Sequence, residues 1–99
     1  MSIQLEARHR RIVADLLRDV PAGIEILIFG SRVDGSPHRS SDLDICLKGA
    51  GPIDPRFLGE LEDRLRDSLL PFKVDLLDYA RATPEFRAIV DGSAERWAA

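Results

Sequence analysis

The sequence predicts a small α/β domain: one mixed β-sheet with flanking helices, of the α+β kind. Three observations lead there. A leading segment repeats its apolar residues at helical spacing, three later segments read as strands, and two further helices open with proline directly after a capping residue. The resulting order is helix, strand, strand, helix, strand, helix. At 99 residues the chain is long enough for one modest core and is predicted to be a single domain, 1–99.

Taking the elements in order, Ile3 to Val20 is predicted as the first helix. Leu5, Ile12, Val13, Leu16, Leu17 and Val20 recur at its apolar spacing, with Arg8, Arg10, Arg11, Asp15, Arg18 and Asp19 between them. Pro21 and Gly23 stop it. Ile24-Glu25-Ile26-Leu27-Ile28-Phe29 is β-branched and nearly continuous in apolar character, as a central strand covered on both faces would be. Gly30-Ser31 follows at once, then a polar and basic loop, then a second strand from Leu43 to Lys48. Gly49-Ala50-Gly51-Pro52 breaks the chain. Asp54-Pro55 sets an N-cap with proline at the first helical position, opening a helix with Phe57, Leu58, Leu61, Leu65 and Leu69 on its buried face. Arg56 with Glu60 and Glu62 with Arg66 lie four apart on its outer side. Pro71 ends it, Phe72 to Leu77 is the third strand, and Thr83-Pro84 opens a last helix carrying Phe86, Ile89 and Val90, with Gly92 as its stop.

Composition narrows the function classes. With 44% hydrophobic and 31% charged residues the chain is globular rather than disordered. A net charge of −3 argues against a nucleic-acid-binding module, which needs a basic excess. It does not argue against a nucleoside triphosphate as substrate, because metal ions neutralise the phosphates locally. Cys46 is the only cysteine, so no internal disulfide can form and a reducing compartment is expected. The start of the chain has no basic-then-apolar leader and no run approaches membrane-spanning length, so the expected location is the cytoplasm, without membrane contact.

The chemistry is concentrated in Gly30-Ser31, Asp42-Leu43-Asp44-Ile45 and Lys73-Val74-Asp75-Leu76-Leu77. Strand alternation puts Asp42 and Asp44 on one face while Leu43, Ile45 and Leu47 point to the other. Strand interiors are poor in aspartate, yet here carboxylates stand among apolar neighbours on two strands. Side-by-side carboxylates repel unless a cation lies between them, and hard oxygen ligands suit Mg²⁺. A glycine lets the backbone approach a phosphate, and Ser31 adds a hydroxyl beside the amides. A Gly-Ser pair alone is an ordinary strand-ending turn, and one surface aspartate means little. The combination, in this order, describes a site for a metal-bound nucleoside triphosphate.

These residues resemble the nucleotidyltransferases of the DNA polymerase β superfamily. The closest likeness is to the minimal nucleotidyltransferase (MNT) type, small proteins paired with a HEPN-domain partner. The likeness covers nearly the whole chain: Gly30-Ser31-Arg32, a short loop, then Ser41-Asp42-Leu43-Asp44, and later Asp75. It implies the polymerase β-like nucleotidyltransferase fold, a triphosphate-cradling turn at Gly30 and Ser31, and two Mg²⁺ ions held by Asp42, Asp44 and Asp75 as the catalytic set. Arg32, and less directly Arg39, would pair with phosphate oxygens. By the same resemblance the reaction is AMP transfer from ATP to a tyrosine hydroxyl of a HEPN ribonuclease toxin, in a hetero-oligomer where this chain is the antitoxin. Asp34 departs from the family pattern, which usually has a small or basic residue there.

The alternative is a non-catalytic antitoxin that binds nucleotide and neutralises its partner by contact. A free-standing transferase acting on a small molecule ranks below both, because such relatives usually add an acceptor domain. Kinase-type P-loops and dinucleotide folds are disfavoured, since no Gly-x-x-x-x-Gly-Lys or Gly-x-Gly-x-x-Gly follows any strand. Among the remaining residues, His38 is expected to be a solvated loop histidine and His9 to have no chemical role. Cys46 shares parity with Asp42 and Asp44 and is expected to be a buried thiol on the site floor. Tyr79 is expected either to stack on a base or to pack at a strand end, and Trp97 to be a partner-facing anchor.

Overall fold

A computed structural model describes residues 3–34 and 42–97 of the chain. The strands are β1 (Glu25–Phe29), β2 (Leu43–Lys48), β3 (Val74–Asp78) and the two-residue β4 (Glu95–Arg96), arranged β3-β2-β1-β4 in one sheet. β1 runs antiparallel to both β2 and β4, whereas β2 and β3 are parallel, so the sheet is mixed as predicted. The helices are α1 (Ala7–Leu17), α2 (Ser31–Asp34), α3 (Pro55–Arg66) and α4 (Pro84–Ser93), with a 3₁₀ turn at Tyr79–Arg81. No helix among the described residues is long and apolar enough to cross a membrane.

The two faces of the sheet divide the work. Leu43, Ile45 and Leu47 of β2 and Ile28 of β1 are fully buried against Val13 and Leu17 of α1 and Leu61 and Leu65 of α3. The other face carries a smaller cluster, Phe29 and Cys46 packed on Val90 of α4, with Leu27, Leu77 and Tyr79 around it. Because β2 supplies alternate residues to the two faces, its register is fixed by the larger core. A slip of one residue would put Asp44 where Ile45 now sits.

α1 starts at Ala7, four residues later than the apolar spacing predicts. The preceding segment is held outside the helix instead: the Gln4 N–H donates to the carbonyl of Arg32 at 2.8 Å, and Arg10 Nη2 donates to the carbonyl of Ile3 at 2.7 Å. α3 follows the predicted capping, with the Asp54 carboxylate accepting the Arg56 N–H at 2.9 Å and Pro55 at the first turn. On its outer side Arg66 hydrogen-bonds Asp63 at 2.6 Å rather than the predicted Glu62, and Arg64 reaches Asp19 beyond the end of α1 at 3.0 Å. Both pairs are exposed and screened by solvent, so neither adds much to stability.

The last helix corrects two expectations. Thr83 caps it, accepting the Phe86 N–H at 3.3 Å, but Gly92 does not stop it: the helix continues through Ser93 and ends at Ala94, whose backbone is extended. That extension leads into β4, whose pairing with β1 continues to Trp97, whose N–H donates to the carbonyl of Ile26 at 2.8 Å. Trp97 is therefore not a partner-facing anchor. It is 8% exposed, a member of the main core, with the Arg10 guanidinium 5.5 Å from its ring. The fourth strand draws the indole in, and a two-residue strand is too short to reveal itself as a periodic pattern.

Candidate functional site

Strand pairing builds the site. In the register of the sheet, Phe29, Asp44 and Asp75 lie in one row across β1, β2 and β3, so the two carboxylates come from adjacent parallel strands and share a face. Asp42 stands just ahead of β2, exposed, on the same parity as Asp44. Burial raises the pKa of Asp44 above the ordinary aspartate range. The negative charges of Asp75 and Asp42 raise it further, as does a hydrogen bond with the Asp75 carboxyl, while Lys73 works in the opposite direction. Lys73 Nζ itself lies 3.4 Å from Asp75 Oδ1. Asp44 is thus a group whose ionised form is short of compensating positive charge.

Gly30 closes the row from the β1 side. Its φ of +83° is the one positive value among the described residues, a conformation open to glycine at little cost. The Asp44 carboxylate occupies the space a side chain would need: a Cβ on Gly30 would lie 2.3 Å from Asp44 Oδ2. Glycine at position 30 is thereby required twice, by backbone conformation and by the packing of the carboxylate. Ser31 begins α2 and is exposed, and the Val33 N–H donates to the carbonyl of Gly30 at 3.0 Å, closing the first turn. A helical turn thus begins directly after Gly30, in the first residues of what the sequence suggests as loop. Its first amides and the Ser31 hydroxyl are donors of the kind that anions take.

Arg32 is the most buried charged side chain beside the turn. Its side chain is 5% exposed, its Nη1 donates to the carbonyl of Gln4 at 3.0 Å, and its guanidinium lies 4.2 Å over the ring of Phe72, which belongs to the main core. Burial lowers its pKa and the nearby charge of Glu6 partly offsets this. Of the six expected site residues, Asp44 and Asp75 share one row with Gly30 directly against Asp44, Ser31 and Asp42 stand at its margin, and the Arg32 side chain is buried against Gln4 and Phe72. The expected phosphate contact of Arg39 and the solvated His38 lie outside the described residues, and of Asp34 only its place at the end of α2 is described.

Asp42, Asp44 and Asp75 supply only oxygen donors, as a hard cation requires. Among the described residues no three carboxylate, histidine or cysteine side chains close around a single point to form a complete cage. That is compatible with Mg²⁺, which is typically bound through one or two carboxylates plus substrate phosphates. The excess negative charge at Asp44 is the observation that fits a cation here.

Several neighbours are structural. Cys46 lies on the site face but is fully buried in the smaller cluster, and burial pushes its thiol up to about 11. Tyr79 is a strand-end clip: its hydroxyl donates to the Asp91 carboxylate (2.9 and 3.0 Å to the two oxygens), with Lys48 Nζ 4.4 Å from its ring. Asp78, three residues after Asp75, is buried at the far end of β3. It accepts the Ile53 N–H at 3.0 Å and the Ala80 N–H at 3.1 Å and pairs with Arg81, which fastens the loop before α3. His9 is buried, with Nδ1 3.3 Å from Glu6 and its ring edge-on to Phe72.

Comparison with known proteins points the same way. The family described as "Polymerase beta, Nucleotidyltransferase" matches residues 13–95. The chain is 32% identical over 88 residues to a probable protein adenylyltransferase MntA of Haemophilus influenzae, covering 89% of this chain and 77% of that protein. Its fold is similar to a crystal structure of a toxin–antitoxin with AMP-PNP, at a TM-score of 0.71 and 32% identity, covering 91% of this chain and 73% of that one. It is also similar to a structure of the tri-AMPylated Shewanella oneidensis HEPN toxin in complex with an MNT antitoxin, at a TM-score of 0.68 and 26% identity, covering 96% and 74%.

Proposed function

Because the chain belongs to the polymerase β nucleotidyltransferase family, we propose that it is a Mg²⁺-dependent protein adenylyltransferase that moves AMP from ATP to a tyrosine hydroxyl of a HEPN toxin and so acts as its antitoxin. The observation that carries this reading is the paired Asp44 and Asp75, in which a carboxylate short of positive charge lies directly against Gly30, a left-handed glycine at the start of a helical turn.

In this reading the amides after Gly30 and the Ser31 hydroxyl hold the triphosphate, and Asp42, Asp44 and Asp75 hold two Mg²⁺ ions. Bound there, the ions would withdraw charge from the phosphates and lower the pKa of the attacking hydroxyl. Asp75, on the edge strand and half-exposed, takes the proton of the acceptor hydroxyl. The acceptor oxygen bonds to the α-phosphorus, the bond from that phosphorus to the bridging oxygen breaks, and pyrophosphate leaves with the bridging electron pair. The sheet orients the carboxylates before substrate arrives, so little reorganisation is left for the reaction itself. The partner supplies the acceptor, and the complex works in a reducing cytoplasm, in keeping with the buried free thiol of Cys46.

A non-catalytic antitoxin is the second reading, in which the same aspartates hold ATP or only metal and the partner is neutralised by contact. The two separate on incubation of the chain and its co-purifying partner with Mg²⁺ and ATP labelled at the α-phosphate. Label on the partner that vanishes with Asp42→Ala/Asp44→Ala supports transfer. A stable, silenced and unlabelled complex overturns it. Asp75→Asn sharpens the result: transfer requires that it keep the complex and lose the neutralisation.

A further inference from the structure

Arg32 is one of three buried polar or charged residues described, with His9 and Asp78, and it follows the phosphate turn directly. Its surroundings form a bridge. The backbone carbonyl of Arg32 accepts the Gln4 N–H at 2.8 Å and its Nη1 donates to the Gln4 carbonyl at 3.0 Å, so residues 4 and 32 are fastened twice. The guanidinium then covers the face of Phe72 at 4.2 Å, while His9 meets the same ring edge-on at 5.5 Å and an interplanar angle of 86°. Phe72 leads into β3: Leu43 donates its N–H to the carbonyl of Lys73 at 2.9 Å, and Asp75 follows two residues later. Arg32 therefore lies two residues after Gly30, and its ring partner three residues before Asp75.

Resting on the nucleotidyl-transfer reading, we propose that Arg32 is a positioning residue that sets the distance between the Gly30-Ser31 turn and Asp75 through Gln4 and Phe72, and is not a ligand of the triphosphate. A guanidinium suits this task for reasons a lysine does not share. It is planar, so it can lie flat on a ring, and it keeps donors in its plane to hold a carbonyl at the same time. A lysine would keep the charge and lose the plane. A phosphate ligand, by contrast, tolerates lysine as a point charge. The two roles thus separate on substitutions at two positions.

The test uses the full chain with its partner and compares Arg32→Lys, Arg32→Met, Phe72→Leu and the Arg32→Met/Phe72→Leu double variant. The readouts are the dissociation constant for Mg²⁺–AMP-PNP, the kcat and KM for ATP in AMP transfer, and the melting temperature. Positioning requires Phe72→Leu and Arg32→Met to act alike and not to add, with kcat down about tenfold or more, KM within about threefold, and no rescue by Arg32→Lys. Arg32→Met weakening AMP-PNP binding about tenfold, with binding restored in Arg32→Lys and unchanged in Phe72→Leu, would overturn the proposal and make Arg32 a phosphate ligand. Phe72→Leu leaves Arg32 in place, so an unfolded Arg32 variant does not block the decision: normal transfer by Phe72→Leu also overturns positioning. Wild-type chain that binds AMP-PNP but transfers nothing sinks the transfer reading alone, and the binding constants still decide the role of Arg32.

Discussion

Replacing Gly30 with alanine separates what this position does for the fold from what it does for the site. The backbone at φ +83° carries alanine only at a cost of roughly 1–2 kcal/mol. The new Cβ would lie 2.3 Å from Asp44 Oδ2 and 3.3 Å from Asp44 Cγ, but 3.6 Å from Asp44 Cβ, an ordinary contact. The strand therefore has no need to move; the carboxylate does, by about 1 Å, before the overlap is relieved. A shift of about 1 Å in a group that holds reacting atoms costs on the order of 100-fold in rate, or about 2.7 kcal/mol of transition-state stabilisation. The expected outcome is a folded protein destabilised by about 1–2 kcal/mol whose kcat/KM for AMP transfer falls about 100-fold. Thermal melts and transfer of label from α-phosphate-labelled ATP measure the two quantities on one preparation. A variant with the lowered melting temperature and a kcat/KM within about threefold of wild type would refute the reasoning, because the seat of the Asp44 carboxylate would then be irrelevant to the chemistry.

The other expectations use different parts of the molecule. Gly59, inside α3 with nothing within 4 Å of an added Cβ, is the matched control: Gly59→Ala should stabilise by about 0.5–1 kcal/mol in a denaturant melt and leave transfer unchanged. A raised pKa at Asp44 means that the folded state holds its proton more tightly than the unfolded chain, so that contribution is complete in acid and is lost as pH rises through the folded value. Metal-free Asp44→Asn should accordingly melt above wild type at pH 7, with the gap closing as pH falls toward about 4, and a pH-independent gap in calorimetry would contradict it. Mg²⁺ at neutral pH should raise the melting temperature of wild type more than that of Asp44→Asn. The Cys46 thiol, fully buried and pushed up to about 11, should resist iodoacetamide at pH 8 in the native state and react once urea exposes it.

What the sequence revealed and what it concealed follow a physical division. β2 was legible to its ends because alternation, carboxylates against Leu43, Ile45 and Leu47, is a local pattern that the sheet then satisfies on both faces. The caps of α3 and α4 were legible for the same reason, Asp54 and Thr83 bonding amides two and three residues ahead. Some of what it concealed depends on partners distant in the chain. Residues 3–6 continue the apolar spacing of α1 yet lie outside it, where Arg32 holds Gln4 from 28 residues away. Trp97 looked unpartnered until β4 placed it beside Ile26. Arg32 stands beside site residues in the sequence, and its contacts with Gln4 and Phe72 come from segments 28 and 40 residues away that no local pattern announces.

The same division explains how so short a chain can build a site. A carboxylate pair in a sheet needs its strands held in register against mutual repulsion, and neither Asp44 nor Asp75 contributes to that hold. Their strand neighbours do: Ile45 and Leu76 pair on the opposite face, directly behind the row, and Ile45 is fully buried beneath α1 and α3. The hydrophobic stabilisation of that face, non-directional and large, offsets a local electrostatic cost that, in the proposed reading, a metal-bound substrate would relieve. Truncating Ile45 to alanine should then harm the site through register as well as stability, and the loss should appear first in affinity for Mg²⁺–AMP-PNP at temperatures where the chain is still folded. Unchanged affinity up to the melting transition would mean that the carboxylate row is held by something other than the core behind it.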